Sequence, residues 1–259
     1  MQSTTYSSQE KKGNKELLGL RVNTYSKTDI LDNIGKYISS PTGFFHIISL
    51  NPENLVISSS DAEFKEIVKT AQIKITDGFG VVIASKILGV KVGDRVTGVG
   101  LMEDLLDMAG KDSLAVMLIG AKHNLAVQLA ECYNEKYGQK NFFGIQGIED
   151  IQDPKKEEEE EIFSIVASVK PRFLFVAFGS PYQEKWLWKN RALLQGIICM
   201  GVGGAFDYLA GEVKRPPKIV GILGLEWLFR LLHQPWRWRR QLRLIKFAWL
   251  VVRQKISSG

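Results

Sequence analysis

The fold is decided by residues 44–55, which read FFHIISLNPENL. Most of the first seven residues are apolar and β-rich, which is typical of a strand that is buried on both faces. Asn51 is a candidate helix N-cap, and Pro52 suits the first position of a helix. A strand that leads directly into a helix is the unit from which α/β domains are built.

The same order of strand and helix recurs along the chain. Further short apolar runs lie at residues 73–76, 114–120, 141–147, 172–179 and 196–203. Helical periodicity follows most of them and is clearest in residues 124–138, 154–169 and 182–195. Continuous apolar strands that alternate with helices predict an α/β fold, with a Rossmann-like, mainly parallel sheet flanked by helices.

A basic segment follows the α/β pattern, which ends in residues 210–221, AGEVKRPPKIVG. Residues 225–255 contain eight Lys or Arg and one Glu, a net charge of +7, whereas the whole chain carries +6. The rest of the chain is therefore close to neutral, and the tail also holds four of the six tryptophans. We predict a disordered lead over 1–16, an α/β core over 17–211 and a basic, Trp-rich helical appendage over 212–259.

The composition and the absence of several common motifs narrow the range of possible functions. Cys132 and Cys199 match no metal-ligand spacing and lie in apolar stretches, so we expect two buried free thiols in a reducing compartment. The polar N-terminus does not resemble a signal peptide, and no apolar run approaches the ~20 residues of a membrane span. No Walker loop, HExxH, G-x-S-x-G or Asp-x-Asp sequence is present. We therefore expect a cytoplasmic protein without a metal or an organic cofactor.

Ligands of parallel α/β sheets bind beyond the carboxyl ends of the strands, and candidate residues follow several of the apolar runs. Asp77 follows the second run and precedes Gly78, which fits either an Asp-Gly turn or a general base. Arg95 lies between polar residues and glycines and is either an exposed loop residue or a clamp for a phosphate or carboxylate. Gln183 and Glu184 begin a helix after another strand.

Several of these segments, in this order and spacing, resemble the WecG/TagA/CpsF family, glycosyltransferase family 26. The similarity extends from about Leu20 to Arg253. It rests on SLNPENLV, ITDGFGVVIASKILG, RVTG, GSPYQEKW, GVGGAFDYLAG, VKRPPK and LEWLFRLLHQPWRWRRQ. The last of these, a Glu-Trp-Leu-x-Arg-Leu segment followed by Pro and paired arginines, is the most specific.

The resemblance implies an inverting, metal-independent glycosyltransferase that takes a sugar from a UDP-sugar donor. The sugar would be N-acetylmannosamine or its uronic acid, with glucose as the alternative, and the acceptor a polyprenyl-diphosphate-linked saccharide of cell-surface polysaccharide synthesis. It implies that Asp77 is the catalytic base. It implies substrate binding by Ser49, Asn51, Arg95, Thr97, Gly98, Gln183, Glu184, Arg230, Arg237 and Arg240. Many relatives have Asp where this chain has Gly100, which makes the identity of the donor less certain.

The basic tail has several possible roles. Tryptophans favour the bilayer interface and arginines bind anionic head groups, so the tail could hold the protein on the inner face of the bacterial plasma membrane. Its arginines could instead fold over the cleft and bind the diphosphate. It could also form a helical hairpin on the core or on a sister subunit of a homo-oligomer. Because the α/β pattern is complete before Lys214, we expect a chain ending near residue 212 to fold.

Two other classes of protein share some of these features. A nucleic-acid-binding protein would also interleave arginines with aromatic residues, but here the basic residues are confined to one terminus, so we predict no nucleic-acid partner. A non-catalytic membrane adaptor would keep the tail but would have no need for Asp77 among glycines.

Overall fold

The structure, a computed structural model, describes residues 16–213, 220, 226–233 and 238–257. Within these residues six strands form one sheet in the order β2-β1-β6-β5-β3-β4, and every neighbouring pair is parallel. The strands are β1 (Phe45–Leu50), β2 (Ile73–Thr76), β3 (Val116–Gly120), β4 (Phe142–Ile145), β5 (Phe173–Ala177) and β6 (Ile198–Gly201). The predicted fold class is confirmed, and all six runs that the sequence indicated contain a strand.

Helices cover both faces of the sheet. One face carries α1 (Lys27–Ser39), α5 (Gly98–Lys111), α6 (Leu125–Tyr137) and α9 (Ala205–Leu209). The other face carries α2 (Pro52–Ser58), α3 (Ala62–Thr70), α4 (Phe79–Leu88), α7 (Lys156–Val169) and α8 (Tyr182–Lys189). The described part of the tail contains α10 (Glu226–His233) and α11 (Trp238–Ser257). Burial on both faces explains why the strands read as continuous apolar runs.

The alternation of side chains along β1 and β2 determines which face of the sheet Ser49 and Asp77 lie on. Phe45 and Ile47 of β1 point to the α5 face, and Ile48 and Leu50 point to the other face. Ser49 therefore points to the α5 face, because successive side chains of a strand point in opposite directions. On β2, Ile73 and Ile75 also face α5. Asp77 lies two residues further along the chain and so continues toward the same side.

The last helix is part of the core. It packs against α2 and α4, and its Phe247 and Val251 are buried in the apolar cluster on that face. The side chain of Gln254 donates to the carbonyl oxygen of Glu16 (2.7 Å) and accepts from the backbone N–H of Leu18 (2.8 Å). A chain ending near residue 212 would lose these contacts, so the expectation that it folds does not fit the packing. The boundary between 211 and 212 stays a prediction.

The structure also shows where the two cysteines lie and whether any described helix could span a membrane. Cys199 is buried, and burial raises the pKa of its thiol, but Cys132 is exposed on α6, so the prediction of two buried thiols is wrong for Cys132. Its neighbour Tyr133 takes the inward position of that helix turn instead. Among the helices that the structure describes, none combines the length and apolar character needed to span a bilayer.

Candidate active site

Asp77 lies at the carboxyl edge of the sheet, where β2 ends. Its backbone N–H donates to the carbonyl oxygen of Leu50 (2.9 Å), which joins the end of β2 to the end of β1. Its carboxylate Oδ2 accepts from the backbone N–H of Gly98 (3.2 Å), the first residue of α5. The next residue, Gly78, has φ 91°, a conformation that favours glycine, and it begins α4 without a side-chain cap. Asp77 is half-buried and reaches across to another helix.

Ser49, Asp77 and Gly98, which we call the Asp77 cluster, meet at one point. A Cβ atom added to Gly98 would lie 2.8 Å from Ser49 Oγ and 3.4 Å from Asp77 Oδ2. The missing side chain of Gly98 therefore leaves room for the hydroxyl and the carboxylate beside the start of α5. Ser49 pairs with Ile75 in the sheet, so the register of β1 and β2 brings the serine near Asp77. These three residues were all predicted to belong to the site, and the structure brings them together.

Asn51 and Thr97 are the N-caps of two helices at this edge. The side chain of Asn51 accepts from the backbone N–H of Asn54 (2.8 Å), which confirms the predicted cap of α2. Thr97 Oγ1 accepts from the backbone N–H of Gly100 (3.1 Å) and so caps α5. A Cβ atom on Gly100 would lie 2.8 Å from Thr97 Oγ1. The aspartate that many relatives have at this position would therefore require this cap to shift.

Three helix N-termini converge around the Asp77 cluster. Helix α2 begins after β1, α4 begins after β2, and α5 begins at Gly98. The starts of α2 and α4 are in contact, because a Cβ atom on Gly80 would lie 3.1 Å from Pro52 Cγ. Helix N-termini carry partial positive charge and unsatisfied N–H groups, and both favour anions. The arrangement therefore favours a negatively charged ligand next to Asp77.

Arg95 borders the same site. Its backbone forms a parallel bridge with Thr76, and the N–H of Val96 donates to the carbonyl oxygen of Thr76 (3.0 Å). These contacts hold an exposed arginine beside the residue that precedes Asp77. The long, cationic side chain is suited to a phosphate or carboxylate.

Gln183 and Glu184 lie farther along the same edge and are buried, with exposures of 3% and 1%. Gln183 Oε1 accepts from the backbone N–H groups of Gly179 and Gly203, both at 3.1 Å. Gln183 Nε2 donates to Glu184 Oε1 (2.8 Å) and to Ser180 Oγ (3.3 Å). The hydroxyl of Ser180 also donates to Glu184 Oε1 (2.8 Å). We call these five residues the Gln183 network.

The Gln183 network joins the loops that follow β5 and β6. Gly201, at the end of β6, leaves room for Gln183, since a Cβ atom there would lie 2.6 Å from Gln183 Nε2. Burial raises the pKa of the Glu184 carboxyl, which favours the protonated form. Glu184 Oε2 has no hydrogen-bond partner among the described residues. The network is thus placed to fix two loops of the site, and direct substrate binding by Gln183 and Glu184 stays a prediction.

The basic tail reaches the site through Arg243, which the sequence analysis did not single out. The Arg243 guanidinium forms an ion pair with Glu53, in the first turn of α2. Phe247, one turn further along α11, lies 3.7 Å from the position of a Cβ atom on Gly80. The basic composition of the tail predicted cations near the site but did not identify which arginine meets an acidic partner. Of the predicted arginines, Arg237 lies outside the described residues, and the side chains of Arg230 and Arg240 are not among those described.

The fold and this edge define the class of protein. A parallel α/β sheet that presents a half-buried aspartate among helix N-termini is an arrangement typical of an enzyme acting on an anionic substrate. Among the described residues, no group of three or more His, Cys, Asp or Glu side chains is arranged to hold a metal ion.

Comparison with known proteins gives the family. The model of the Glycosyl transferase WecG/TagA/CpsF family matches residues 15–259, and the chain belongs to this family. The resemblance described from the sequence, and with it the prediction of a glycosyltransferase, is confirmed.

Two curated relatives cover most of the chain. A Bacillus subtilis (strain 168) protein is 29% identical over 229 residues, which are 88% of this chain and 87% of the relative. A Bacillus spizizenii (strain ATCC 23059 / NRRL B-14472 / W23) protein is 32% identical over 223 residues, which are 86% of this chain and 84% of the relative. Each is named N-acetylglucosaminyldiphosphoundecaprenol N-acetyl-beta-D-mannosaminyltransferase.

Proposed function

We propose that the protein transfers N-acetylmannosamine from a UDP-sugar to an N-acetylglucosamine that is linked through a diphosphate to a polyprenyl lipid. The names of the two relatives support this acceptor and this sugar. The observation that carries the proposal is the meeting of Ser49, Asp77 and Gly98 among three helix N-termini. These features offer a base and an anion site within one edge of the sheet.

In the proposed reaction, Asp77 takes the proton of the acceptor hydroxyl as that oxygen attacks the anomeric carbon of the donor. The bond between the anomeric carbon and the UDP oxygen breaks on the opposite side, so the configuration inverts and UDP leaves. The hydroxyl of Ser49 lies with Asp77 beside Gly98 and would orient the acceptor. A general base placed in this way typically contributes about 10²–10⁴-fold to the rate.

The developing charge on the UDP diphosphate needs stabilisation. Partial positive charge at the starts of α2, α4 and α5 supplies part of it, and Arg95 supplies a full charge at the same edge. The tail arginines Arg230, Arg237 and Arg240 are proposed to complete the site, as the family resemblance implies. We propose that these groups do the work that a metal ion does in other glycosyltransferases.

One assay tests the proposed reaction. The full chain is incubated with a short-chain lipid-diphosphate N-acetylglucosamine and a panel of UDP-sugars, with and without EDTA. We expect a single disaccharide product from UDP-N-acetylmannosamine and equal turnover in EDTA. Turnover with UDP-glucose or a uronic acid donor alone would replace the proposed sugar, and turnover restored only by Mg²⁺ or Mn²⁺ would contradict metal independence.

We also propose that α11 attaches the protein to an anionic membrane, on the cytoplasmic face where a lipid-linked acceptor would be found. The helix contains six Lys or Arg and no acidic residue. Its Phe247 and Val251 face the core, whereas the opposite side is apolar and exposed. This outer stripe consists of Leu242, Ile245, Trp249, Val252 and Ile256. Amphipathic helices with cations beside a Trp-containing apolar face bind membrane interfaces.

The tail's two proposed roles, membrane attachment and closure of the cleft, make separable predictions. Alanine substitutions of Arg230, Arg237 and Arg240 are assayed on a water-soluble acceptor without vesicles. We expect slower turnover in each variant, because the diphosphate loses a cation in the transition state. Unchanged turnover in all three would restrict the tail to attachment.

A further inference from the structure

A second helix beside the site has an exposed apolar side that the proposed reaction does not use. Helix α4 begins with Phe79, two residues after Asp77, and its Phe79, Ile83 and Ile87 are 37%, 44% and 45% exposed. These residues are four apart, so they form one stripe that extends about 12 Å along the helix. The same helix rests on the sheet through Val81, Ala84, Ser85 and Leu88.

The exposed sides of α4 and α11 belong to one surface. Helix α4 packs on the sheet, and α11 packs on α2 and α4 through the side that carries Phe247. Each helix therefore directs the side opposite its packed side away from the sheet. Phe247 lies on the packed side of α11 and approaches Gly80, so α11 and α4 are neighbours on this face of the sheet. Exposed apolar stripes on two neighbouring helices are typical of a contact site rather than of ordinary protein surface.

The charges around the two stripes identify the kind of partner. Lys246, Arg253 and Lys255 are exposed on α11, and Lys86 is exposed beside Ile87 on α4. Neither helix contains an acidic residue. The guanidinium of Arg253 lies over the ring of Trp249, 5.4 Å from its centroid, which places a cation beside an aromatic side chain of the outer stripe. Apolar side chains bordered by cations complement the acyl chains and head groups of an anionic bilayer.

A second copy of the chain fits this surface less well. A symmetric pair would set the same surface of both copies face to face. Two α11 helices, each with six cations and no acid, would then approach one another, and the ion pair of Arg243 with Glu53 offsets only part of this charge. An anionic lipid surface removes that repulsion.

We propose that α4 is a second membrane-contacting helix, which inserts Ile83 and Ile87 into the same anionic bilayer as the outer stripe of α11. The inference deepens the membrane attachment proposed above and rests on it. Two helices at different positions fix the orientation of the protein on the membrane. Attachment through one helix would allow the protein to rotate about the axis of that helix. Since α4 starts two residues after Asp77, this orientation holds the carboxyl edge of the sheet at the membrane surface.

Vesicle binding by the full chain tests the proposal without any sugar substrate. The variant Ile83→Ser/Ile87→Ser is compared with wild type on vesicles of phosphatidylglycerol and phosphatidylcholine. Both side chains are exposed, so the variant should fold. Loss of two partly inserted isoleucines should weaken partitioning roughly tenfold or more. Leu193→Ser is the matched control, because Leu193 is also exposed but lies near the start of β6, at the opposite edge of the sheet.

An environment-sensitive dye at residue 83 tests insertion directly. The dye is attached to Ile83→Cys in a Cys132→Ser background, since Cys132 is exposed and Cys199 is buried. We expect a blue shift when vesicles are added, and no shift for the dye on Leu193→Cys in the same background. Unchanged partitioning of the double variant, or no blue shift at residue 83, would overturn the proposal.

Two further outcomes would also overturn it. Vesicle binding as in wild type, with self-association lost in the double variant, would make the α4 stripe an interface between copies. Vesicle binding as in wild type, with a raised KM for long-chain acceptors alone, would make it a site for the isoprenoid of the acceptor. Weakened vesicle binding by a variant of the outer stripe, Trp249→Ser/Val252→Ser, checks α11 separately, so the two membrane proposals can fail independently. Vesicle binding can be measured even if the protein has no transferase activity, so failure of the proposed reaction would not prevent this test.

Discussion

Two polar clusters lie at the carboxyl edge of the sheet, and they differ in how far solvent reaches them. In the Asp77 cluster the side chains of Ser49 and Asp77 are half-buried, and the Asp77 carboxylate accepts a hydrogen bond from the backbone N–H of Gly98 through Oδ2. In the Gln183 network the side chains of Gln183 and Glu184 are buried, and the amide of Gln183 makes four hydrogen bonds within the protein. The first cluster can be reached by a ligand from solvent, whereas the second uses its hydrogen-bonding capacity internally.

This difference separates two kinds of contribution to a reaction. An accessible carboxylate at the end of a strand can take a proton from a substrate. A buried amide that joins two glycine loops holds the site in shape, because each loop position depends on a hydrogen bond in a water-poor environment. We therefore expect substitutions in the Asp77 cluster to change the rate and substitutions in the Gln183 network to change stability first.

The largest effect is expected for Asp77→Asn. The amide keeps the shape of the carboxylate but cannot take the acceptor proton, so turnover should fall about 10²–10⁴-fold. The affinity for the UDP-sugar, measured by calorimetry, should remain near that of wild type, because the base does not hold the donor. Asp112→Asn is the control, since Asp112 is an exposed carboxylate at the far end of α5. Near-normal turnover of Asp77→Asn would reduce Asp77 to a turn residue and remove the contrast between the two clusters.

Gln183→Leu tests the buried cluster. The substitution leaves the N–H groups of Gly179 and Gly203 without their acceptor. An unsatisfied buried group costs about 1–3 kcal/mol, and these two N–H groups are part-buried, so we expect the free energy of unfolding to fall by about 1–3 kcal/mol in total in urea titrations. Gln128→Leu, at an exposed position of α6, should change it little. Full stability with abolished turnover would mean that Gln183 contacts the substrate directly.

His46 provides a buried polar group without partners, for comparison with the well-bonded Gln183. Among the described residues neither ring nitrogen has a hydrogen-bond partner, and burial lowers the pKa of His46 to about 3. The imidazole of the unfolded chain titrates near 6.5, so the unfolded state binds the additional proton below that pH. His46 therefore causes no loss of stability above pH 6.5, and it lowers the free energy of unfolding as the pH falls from 6.5 towards 3. At pH 5 the loss should be about 2 kcal/mol.

The variant His46→Phe measures this contribution. Phenylalanine cannot be protonated and should remain in the apolar environment beside Phe44, whose ring centroid lies 5.3 Å from that of His46. Urea titrations at pH 7 and pH 5 should show a smaller loss of stability in the variant than in wild type. An equal loss in both proteins would show that other groups cause the acid sensitivity.

The smallest effect on turnover is expected for Glu184→Gln. Burial raises the pKa of Glu184, so a neutral amide should replace the carboxyl with a change in kcat of less than about threefold. In wild type, ionisation favours the unfolded state as the pH rises above the ordinary glutamate value of 4.5. The variant should lack this loss and be at least as stable as wild type at pH 8. A large loss of kcat in Glu184→Gln would instead assign Glu184 an ionised role in the reaction.

Much of the fold and part of the site follow from local sequence. Six apolar runs predicted six strands, and Asn51 and Pro52 predicted the start of α2, because strand periodicity and capping depend on neighbouring residues. Ordered family motifs also predicted Asp77 and its companions. These features can be recognised without a structure, because each is contained in a few consecutive residues.

The tertiary structure alone decided which of these residues meet and which are buried. Ser49, Asp77 and Gly98 come from three separate segments, and only the register of β1 with β2 and the placement of α5 bring them to one point. Composition predicted a basic appendage, but it did not reveal that Phe247 enters the core or that Arg243 meets Glu53, 190 residues away in sequence. An apolar residue in a helix has the same sequence signature whether it faces the core or solvent. Long-range packing makes that choice, and no short window of sequence contains it.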